Sequence, residues 1–269
     1  MHLDIVIPAH NEEHRIDRTL HVYRAQCTHP DTSFVVALDR CTDGTERVVR
    51  AHADEDARVV PLQFPKLGKG GVLLESFRRC RGDVVGFVDA DCATPPAELL
   101  RLVDAVGHAD IAIASRRHPA SVLPCRRSMS RRVASAGFAM VVRGLFRLPL
   151  RDTQCGAKVF RREAMERCLP FVSSRDLLFD VDVLVTARRL GFGIAEVPTV
   201  WIDQAGSRLR AGPDSLQMAA SAVRLWLHHQ LLPVEAPVES PVETSVEMCG
   251  EAYTDTNIVE LRVTDRVSA

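Results

Sequence analysis

The sequence predicts an α/β fold, a mostly parallel sheet flanked by helices, in a single domain. Three observations predict it. Short β-like runs alternate with stretches of helical periodicity up to residue 115, the pattern of strands joined by crossover helices. The runs are almost continuously apolar, as in Val84-Val85-Gly86-Phe87-Val88, which suits strands covered on both faces. The chain has 269 residues, 46% apolar and 26% charged. It is long enough to bury a sizeable core, and its composition is ordinary for a globular protein.

The β-like runs fall at residues 3–7, 34–38, 58–62, 84–89 and 111–114, with helical stretches near 12–26, 44–53, 71–80 and 97–106. From Arg116 the character changes. Nine arginines (Arg116, Arg117, Arg126, Arg127, Arg131, Arg132, Arg143, Arg147 and Arg151) occur before the next carboxylate, Asp152. A helix is predicted over 128–146, a strand over 157–160, a helix over 180–190 and a strand over 194–200. A last helix, 214–232, carries Leu216, Val223, Trp226, Leu227 and Leu231 at helical spacing. Residues 233–269 open with Pro-Val-Glu repeats and are acidic and poor in large apolar groups, so they are predicted to form a disordered tail.

Bulk properties exclude some classes. A net charge of −1 gives no whole-molecule attraction to nucleic acid. Eight cysteines without a CxxC pair, and no signal peptide, predict reduced thiols in a cytoplasmic protein. No apolar run approaches the roughly 20 residues needed to cross a bilayer, so no transmembrane helix is expected, while peripheral attachment to the inner membrane face stays open. No GxGxxG follows a strand and no GxxxxGK(S/T) occurs, which leaves dinucleotide and P-loop readings unsupported.

The central chemical signal is Asp89-Ala90-Asp91 at the end of the fourth β-like run. Read as strand positions i and i+2, the two carboxylates share a side and offer hard oxygen ligands for Mg²⁺ or Mn²⁺. The carboxyl ends of parallel strands are where such sheets bind ligands. A nucleotide diphosphate needs a cation there, to be held and to depart. Three more segments open on the same edge: Pro8-Ala9-His10-Asn11-Glu12, Asp39, and Gly68-Lys69-Gly70-Gly71. Asp39 can accept hydrogen bonds from a nucleobase edge. Lys69 supplies positive charge, and the glycines permit close backbone approach. Asp43 is best read as a helix N-cap.

These segments occur in the order and at the spacings of the family 2 glycosyltransferases, which the chain resembles over about residues 3–230. The matching motifs are Ile7-Pro8-Ala9-His10-Asn11-Glu12, Thr42-Asp43-Gly44-Thr45, Gly68-Lys69-Gly70-Gly71 and Asp89-Ala90-Asp91. Asp152-Thr153-Gln154-Cys155-Gly156-Ala157-Lys158, Phe179-Asp180-Val181-Asp182, Glu196-Val197-Pro198, Trp201 and Gly206-Ser207-Arg208-Leu209 are similar to the dolichyl-phosphate glucosyl- and mannosyltransferase branch. The pattern is broken where Asp39-Arg40-Cys41 replaces paired acids, at Ala157, and around Ala134-Ser135-Ala136, where an asparagine is usual. No transmembrane pair follows the domain.

The resemblance implies a GT-A type, Rossmann-like domain over 1–232, with a nucleotide-binding half at about 1–115 and an acceptor half at about 116–232. It implies inverting transfer of a hexose from a UDP- or GDP-sugar to a polyprenyl or dolichyl phosphate, with Mg²⁺ or Mn²⁺ on Asp89 and Asp91. Donor-binding candidates are Pro8, Ala9, Asn11, Glu12, Asp39, Lys69, Asp89, Ala90 and Asp91. Catalytic candidates are Asp91 and Asp152. Acceptor-binding candidates are Arg116, Arg117, Ser130, Arg131 and Gln154. Guanidinium forks match phosphate oxygens, so the arginine-rich stretch suits an anionic acceptor or a weak anionic membrane contact. A hydroxyl acceptor would need a carboxylate base, for which Asp152 leads and Asp180 and Asp182 follow. The alternatives are a transferase acting on a soluble hydroxyl acceptor and a non-catalytic nucleotide-sugar binder. A sugar nucleotidyltransferase would want an arginine-containing glycine loop after the first strand, and a DxDx(T/V) phosphatase would want Thr or Val at Ala93. Neither requirement is met.

Overall fold

The computed structural model describes residues 1–124, 129–204 and 213–232, without the side chains of 129–134 and 213–217. The expectations for the 233–269 tail, for Gly206-Ser207-Arg208-Leu209, for Arg126 and Arg127, and for the side chains of Ser130, Arg131, Arg132 and Leu216 lie outside the described residues.

The first half alternates as its periodicity predicts: β1 (Leu3–Ala9), α1 (Glu13–Gln26), β2 (Thr32–Asp39), α2 (Thr45–Glu55), β3 (Val59–Phe64), α3 (Gly68–Phe77), β4 (Val84–Val88), α4 (Pro96–Ala105) and β5 (Ile111–Ser115). Then follow α5 (Met129–Phe146), β6 (Ala157–Arg161), α6 (Arg162–Cys168), α7 (Phe179–Arg189), β7 (Ile194–Pro198) and α8 (Pro213–Leu231). The seven strands lie in the order β3-β2-β1-β4-β6-β5-β7. All neighbouring pairs are parallel except those of β6, which runs antiparallel to β4 and β5. Strand order reverses between β1 and β4, and the crevice outside their carboxyl ends is where such sheets take ligands.

The apolar strands divide their side chains between two cores, as the twofold strand period requires. Val6, Val35, Phe87 and Ile113 face the side covered by α3 and α5–α8. Ile5, Ile7, Val36 and Ala114 face the side covered by α1, α2 and α4.

Several expectations need correction. Helix α3 begins at Gly68, so the glycine run is its first turn and not a loop before it. A Cβ at Gly70 would lie 2.7 Å from the Asp176 carbonyl oxygen, and one at Gly68, whose φ is +79°, 2.8 Å from that of Arg175. These glycines admit another backbone segment of the protein itself. Strand β4 ends at Val88, so Asp89 and Asp91 lie in the following turn and their proximity does not come from strand alternation. Helix α6, of seven residues, is too short to show a period and was not expected. On α8 the buried face is Ala222, Leu225 and His229, while Val223, Leu227 and Leu231 are exposed. The inner face uses a small residue and a ring to fit against its neighbours, so the aliphatics that carried the periodicity point outward.

Candidate active site

A cleft of about 310 Å³ opens at the β1/β4 reversal. Its walls come from four places in the sequence. The end of β1 supplies Pro8, Ala9, His10 and Glu12, and α1 supplies Arg15. Asp39 ends β2, Lys66 to Lys69 precede and begin α3, and Asp89 to Asp91 follow β4.

Local hydrogen bonds explain how each wall is held. Asn11 has φ 56°, a conformation Asn tolerates better than most residues. Its Oδ1 accepts the Thr42 amide at 2.7 Å, joining the turn after β1 to the turn after β2. Asp43 sits one residue before the α2 N-cap, Gly44. It is therefore not the N-cap the sequence predicts, although it accepts the Thr45 amide at 3.0 Å from just outside the helix. Burial raises its pKa, but the two Thr45 hydrogen bonds outweigh this and hold the carboxyl below its ordinary range. Asp39 is 3% exposed. It accepts the Leu67 amide at 2.7 Å and the Gly68 amide at 3.2 Å, so it anchors the start of α3 while lining the cleft.

The charged centre is a chain of four residues. Lys69 donates to Asp89 Oδ1 at 2.8 Å and lies 3.7 Å from Asp180 Oδ2. Asp180 Oδ1 accepts from Lys158 at 2.6 Å, and Lys158 also donates to the Cys155 carbonyl at 2.7 Å. Both ammonium groups stand over the Phe87 ring, at 5.7 and 5.3 Å from its centroid. Burial opposes the Lys69 charge, but Asp89 and Asp180 outweigh it and keep the lysine protonated above its usual range. Asp91 is perturbed the other way. Burial pushes its carboxyl up and the neighbouring Asp89 charge adds to this, against smaller opposing effects from the Ala93 amide, Arg15 and Lys69. A half-buried carboxylate beside another carboxylate is disfavoured in its charged form. Among the described residues no group of three or more His, Cys, Asp or Glu is placed to hold an ion alone. The donor set is two hard oxygens, and Mg²⁺ often takes one or two carboxylates and completes its shell with phosphates and water.

The second half builds a rigid neighbour to this centre. Arg116 and Asp152 form a fork-to-fork pair, Nε to Oδ2 at 2.7 Å and Nη2 to Oδ1 at 2.9 Å. The Arg116 guanidinium lies 5.0 Å from the Trp201 ring centroid. Burial raises the Asp152 pKa, but the Arg116 charge and hydrogen bonds bring it down to about 2. Glu196 accepts the amides of Arg151 and Asp152, both at 2.8 Å. Gln154 gives its backbone amide to Asp152 Oδ1 at 3.3 Å. Arg117 is exposed and donates to Ser135 Oγ at 2.9 Å.

Of the expected donor set, Pro8, Ala9, Glu12, Asp39, Lys69, Asp89, Ala90 and Asp91 line one cleft, and Asn11 braces its rim. His10 and Arg15 also line it, and neither was singled out. Arg15 falls one helical turn after Glu12 and pairs with it at 3.2 Å, a spacing visible in the sequence. Arg116 and Asp152 engage each other. Ser135, beside Arg117, was noted in the sequence only as standing where an asparagine is usual. Lys158 is fully buried, and nothing local in the sequence marks it as Asp180's partner.

A reversed α/β sheet with an acid pair and a lysine at its crevice belongs to the ligand-binding class of α/β folds, which the relatives of the chain specify further. The profile for glycosyl transferase family 2 matches residues 4–169, and the chain belongs to that family; it is a glycosyltransferase. Glycosyltransferase AglD of Haloferax volcanii is 35% identical over 231 residues, covering 83% of this chain and 37% of AglD, so the chain spans little more than a third of that relative. The dolichyl-phosphate beta-glucosyltransferase of Dictyostelium discoideum is 30% identical over 248 residues, 86% of this chain and 76% of the relative. Among solved structures, glucosyl-3-phosphoglycerate synthase from Mycobacterium tuberculosis, in complex with Mn²⁺, uridine diphosphate and glucosyl-3-phosphoglycerate, matches with a TM-score of 0.64. It is 20% identical, covering 87% of this chain and 81% of the other, and the likeness is one of fold. The sheet is thus of the GT-A type.

Proposed function

We propose that the enzyme transfers a hexose, glucose in the first instance, from a UDP- or GDP-sugar to a polyprenyl phosphate with inversion at the anomeric carbon. The observation that carries this reading is the Asp89–Asp91 pair lining the β1/β4 crevice together with Lys69. The named activity of the dolichyl-phosphate beta-glucosyltransferase relatives supports the choice of sugar and acceptor.

Asp91, with Asp89, would hold Mg²⁺ or Mn²⁺, which supplies charge to balance the departing nucleoside diphosphate. Lys69 keeps Asp89 in place and adds positive charge to the same wall. Asp39, Asn11 and Glu12 shape the end that receives the nucleoside. Arg117, which donates to Ser135, is the proposed start of the acceptor-phosphate side, to which Ser130, Arg131 and Gln154 are assigned from the sequence alone.

A phosphate monoester has its second pKa near 6, so it is already a nucleophile at neutral pH and needs no base. The state of Asp152 agrees with such an acceptor. A carboxylate held to about pKa 2 by a guanidinium is a weak base, and in this reading Arg116 and Asp152 position the 152–156 segment. Asp180 and Asp182 are likewise engaged by Lys158 and by His229.

The outer faces of α5 and α8 complete the reading. Val223, Leu227 and Leu231 recur every four residues on α8, Met140 is exposed on α5, and Arg143, Arg147 and Arg224 are exposed on or next to the same helices. Apolar groups among arginines suit a peripheral anionic membrane surface, where a lipid phosphate acceptor would be met. Among the described residues no helix is long and apolar enough to cross a membrane.

The test is a donor screen. UDP-glucose, UDP-GlcNAc and GDP-mannose are each supplied with a polyprenyl phosphate, with and without Mn²⁺. Cation-dependent formation of a polyprenyl-phosphate hexose is expected. Transfer only to a hydroxyl acceptor, or no transfer from any donor, would overturn the proposal.

A further inference from the structure

We propose that His229, on the last helix, is a positioning residue for the donor cleft. Through Asp182 it holds the 173–176 segment against the first turn of α3, and so sets Lys69 and, with it, Asp89. This rests on reading the cleft as the donor site.

The linkage can be followed contact by contact. Asp182 has no exposed surface. Its Oδ1 meets His229 Nε2 at 2.8 Å. Its Oδ2 accepts the amides of Ser173 and Ser174, both at 2.8 Å, and the Ser173 hydroxyl at 3.3 Å. The next residues of that segment press on α3. The Arg175 carbonyl accepts the Gly71 amide at 3.0 Å. Gly68 and Gly70 lie so close to the carbonyls of Arg175 and Asp176 that no side chain would fit. Lys69 sits between these two glycines and donates to Asp89 at 2.8 Å. Asp180, two residues before Asp182 on α7, faces Lys69 and Lys158, so α7 reaches the same lysine by a second route.

Arg189 holds the other side of the ring. Its Nη1 lies 3.2 Å from His229 Nδ1 and also donates to the His229 carbonyl. On the inner side Nε2 faces the Asp182 carboxylate, which only accepts, so the N–H there is the donor. Arg189 Nη2 ties the helix end further, to the Leu232 carbonyl at 3.0 Å. A donor here has a clear use. Asp182 is a buried carboxylate, and removing one donor leaves it under-satisfied. The economical relief is for Asp182 to turn away or admit water, and either loosens the Ser173 and Ser174 amides and the backbone that clamps α3.

The test compares His229→Leu, which keeps the volume and loses the donor, with His229→Gln, whose amide can give a proton toward Asp182. Wild-type protein is first titrated calorimetrically with UDP and with GDP in Mn²⁺. Binding of neither would overturn the donor-site reading, and this inference with it. Given binding, His229→Leu is expected to weaken nucleotide affinity and raise the donor KM about tenfold, leave the acceptor KM unchanged, and be largely rescued in His229→Gln. A merely structural role would lower the amount of active enzyme, and hence kcat, without moving the donor KM. An unchanged donor KM in His229→Leu, or equal damage in both variants, would overturn the proposal. Hydrogen exchange on the wild type gives a second reading that needs no variant. Nucleotide binding is expected to slow exchange at Gly71, Ser173 and Ser174 and around His229, and protection confined to the cleft walls would refute the linkage.

Discussion

The Asp89 carboxylate occupies the space that a side chain at residue 156 would fill. A Cβ on Gly156 would lie 1.8 Å from Asp89 Oδ2, and the Gly156 carbonyl accepts the Asp89 amide at 3.2 Å. The glycine of the Thr153-Gln154-Cys155-Gly156 run is therefore a seat for one of the two acids. Gly156→Ala is expected to push Asp89 off Lys69 and lower kcat/KM on the order of 100-fold, the scale of an ångström-sized misplacement. Steady-state kinetics with saturating Mn²⁺ checks this. Turnover within a few-fold of wild type would show that the acid tolerates displacement.

Asp91→Asn is expected to lose nearly all transfer while keeping the fold. Its carboxyl is raised by burial and by Asp89, so in the cation-free protein its charge opposes folding at neutral pH. That opposition fades as pH falls toward the ordinary carboxylate range. Replacing it with the neutral amide is thus expected to leave the metal-free Tm unchanged or raise it by a few degrees. Calorimetry with chelator, alongside a transfer assay, separates the two effects. Wild-type turnover with excess donor would refute the metal role.

The Arg116–Asp152 pair makes a stability prediction with a definite sign. Asp152 is nearly fully buried and its folded pKa is about 2, below its unfolded value near 4. Its contribution, about 2 kcal/mol, is present above pH 4 and is lost as pH falls through 2. Denaturant unfolding of the wild type between pH 5 and 2 should show this slope, and Asp152→Asn should lack that part of it. At pH 7 Asp152→Asn is expected to cost roughly 3 kcal/mol by leaving Arg116 without its counter-charge. A double replacement of both residues by apolar ones should cost less. Strictly additive costs would argue against the pair acting as a unit.

The outward face of α8 supplies the last prediction. Leu227 and Leu231 are 52% and 83% exposed, so replacing both with Glu should leave Tm within a degree or two. Sedimentation with vesicles containing anionic lipid should fall several-fold, because apolar contact is lost and charge repulsion is added. Binding of wild type that ignores salt and lipid charge, or no difference between the two proteins, would remove this face from the membrane reading.

Much of this protein was legible in its sequence because the relevant physics is local. Strand and helix periods located nearly every element, and the apolar runs announced strands covered on both faces. Asp89 and Asp91 could be placed at the crevice because a parallel sheet exposes the carboxyl ends of its strands there. Asp43 was placed within one residue of the α2 N-cap, Gly44, since its partner Thr45 is two residues away. Contacts were harder to read than elements, because their partners are distant along the chain. Gly68 and Gly70 were read as admitting close backbone approach, but only the fold shows that the backbone is that of Arg175 and Asp176. Arg116 and Asp152 read as a phosphate grip and a base, each with free valence, until a separation of 36 positions closed to 2.7 Å. The insertion of antiparallel β6 between β4 and β5, which sets Gly156 beside Asp89 and Lys158 beneath Asp180, has no local signature at all. By itself the sequence determined most of the chemical groups that stand at the crevice, though not His10 or Arg15. Only the tertiary structure decided which of them are already satisfied, because a charge or a hydrogen bond is spent on whichever partner the fold brings near.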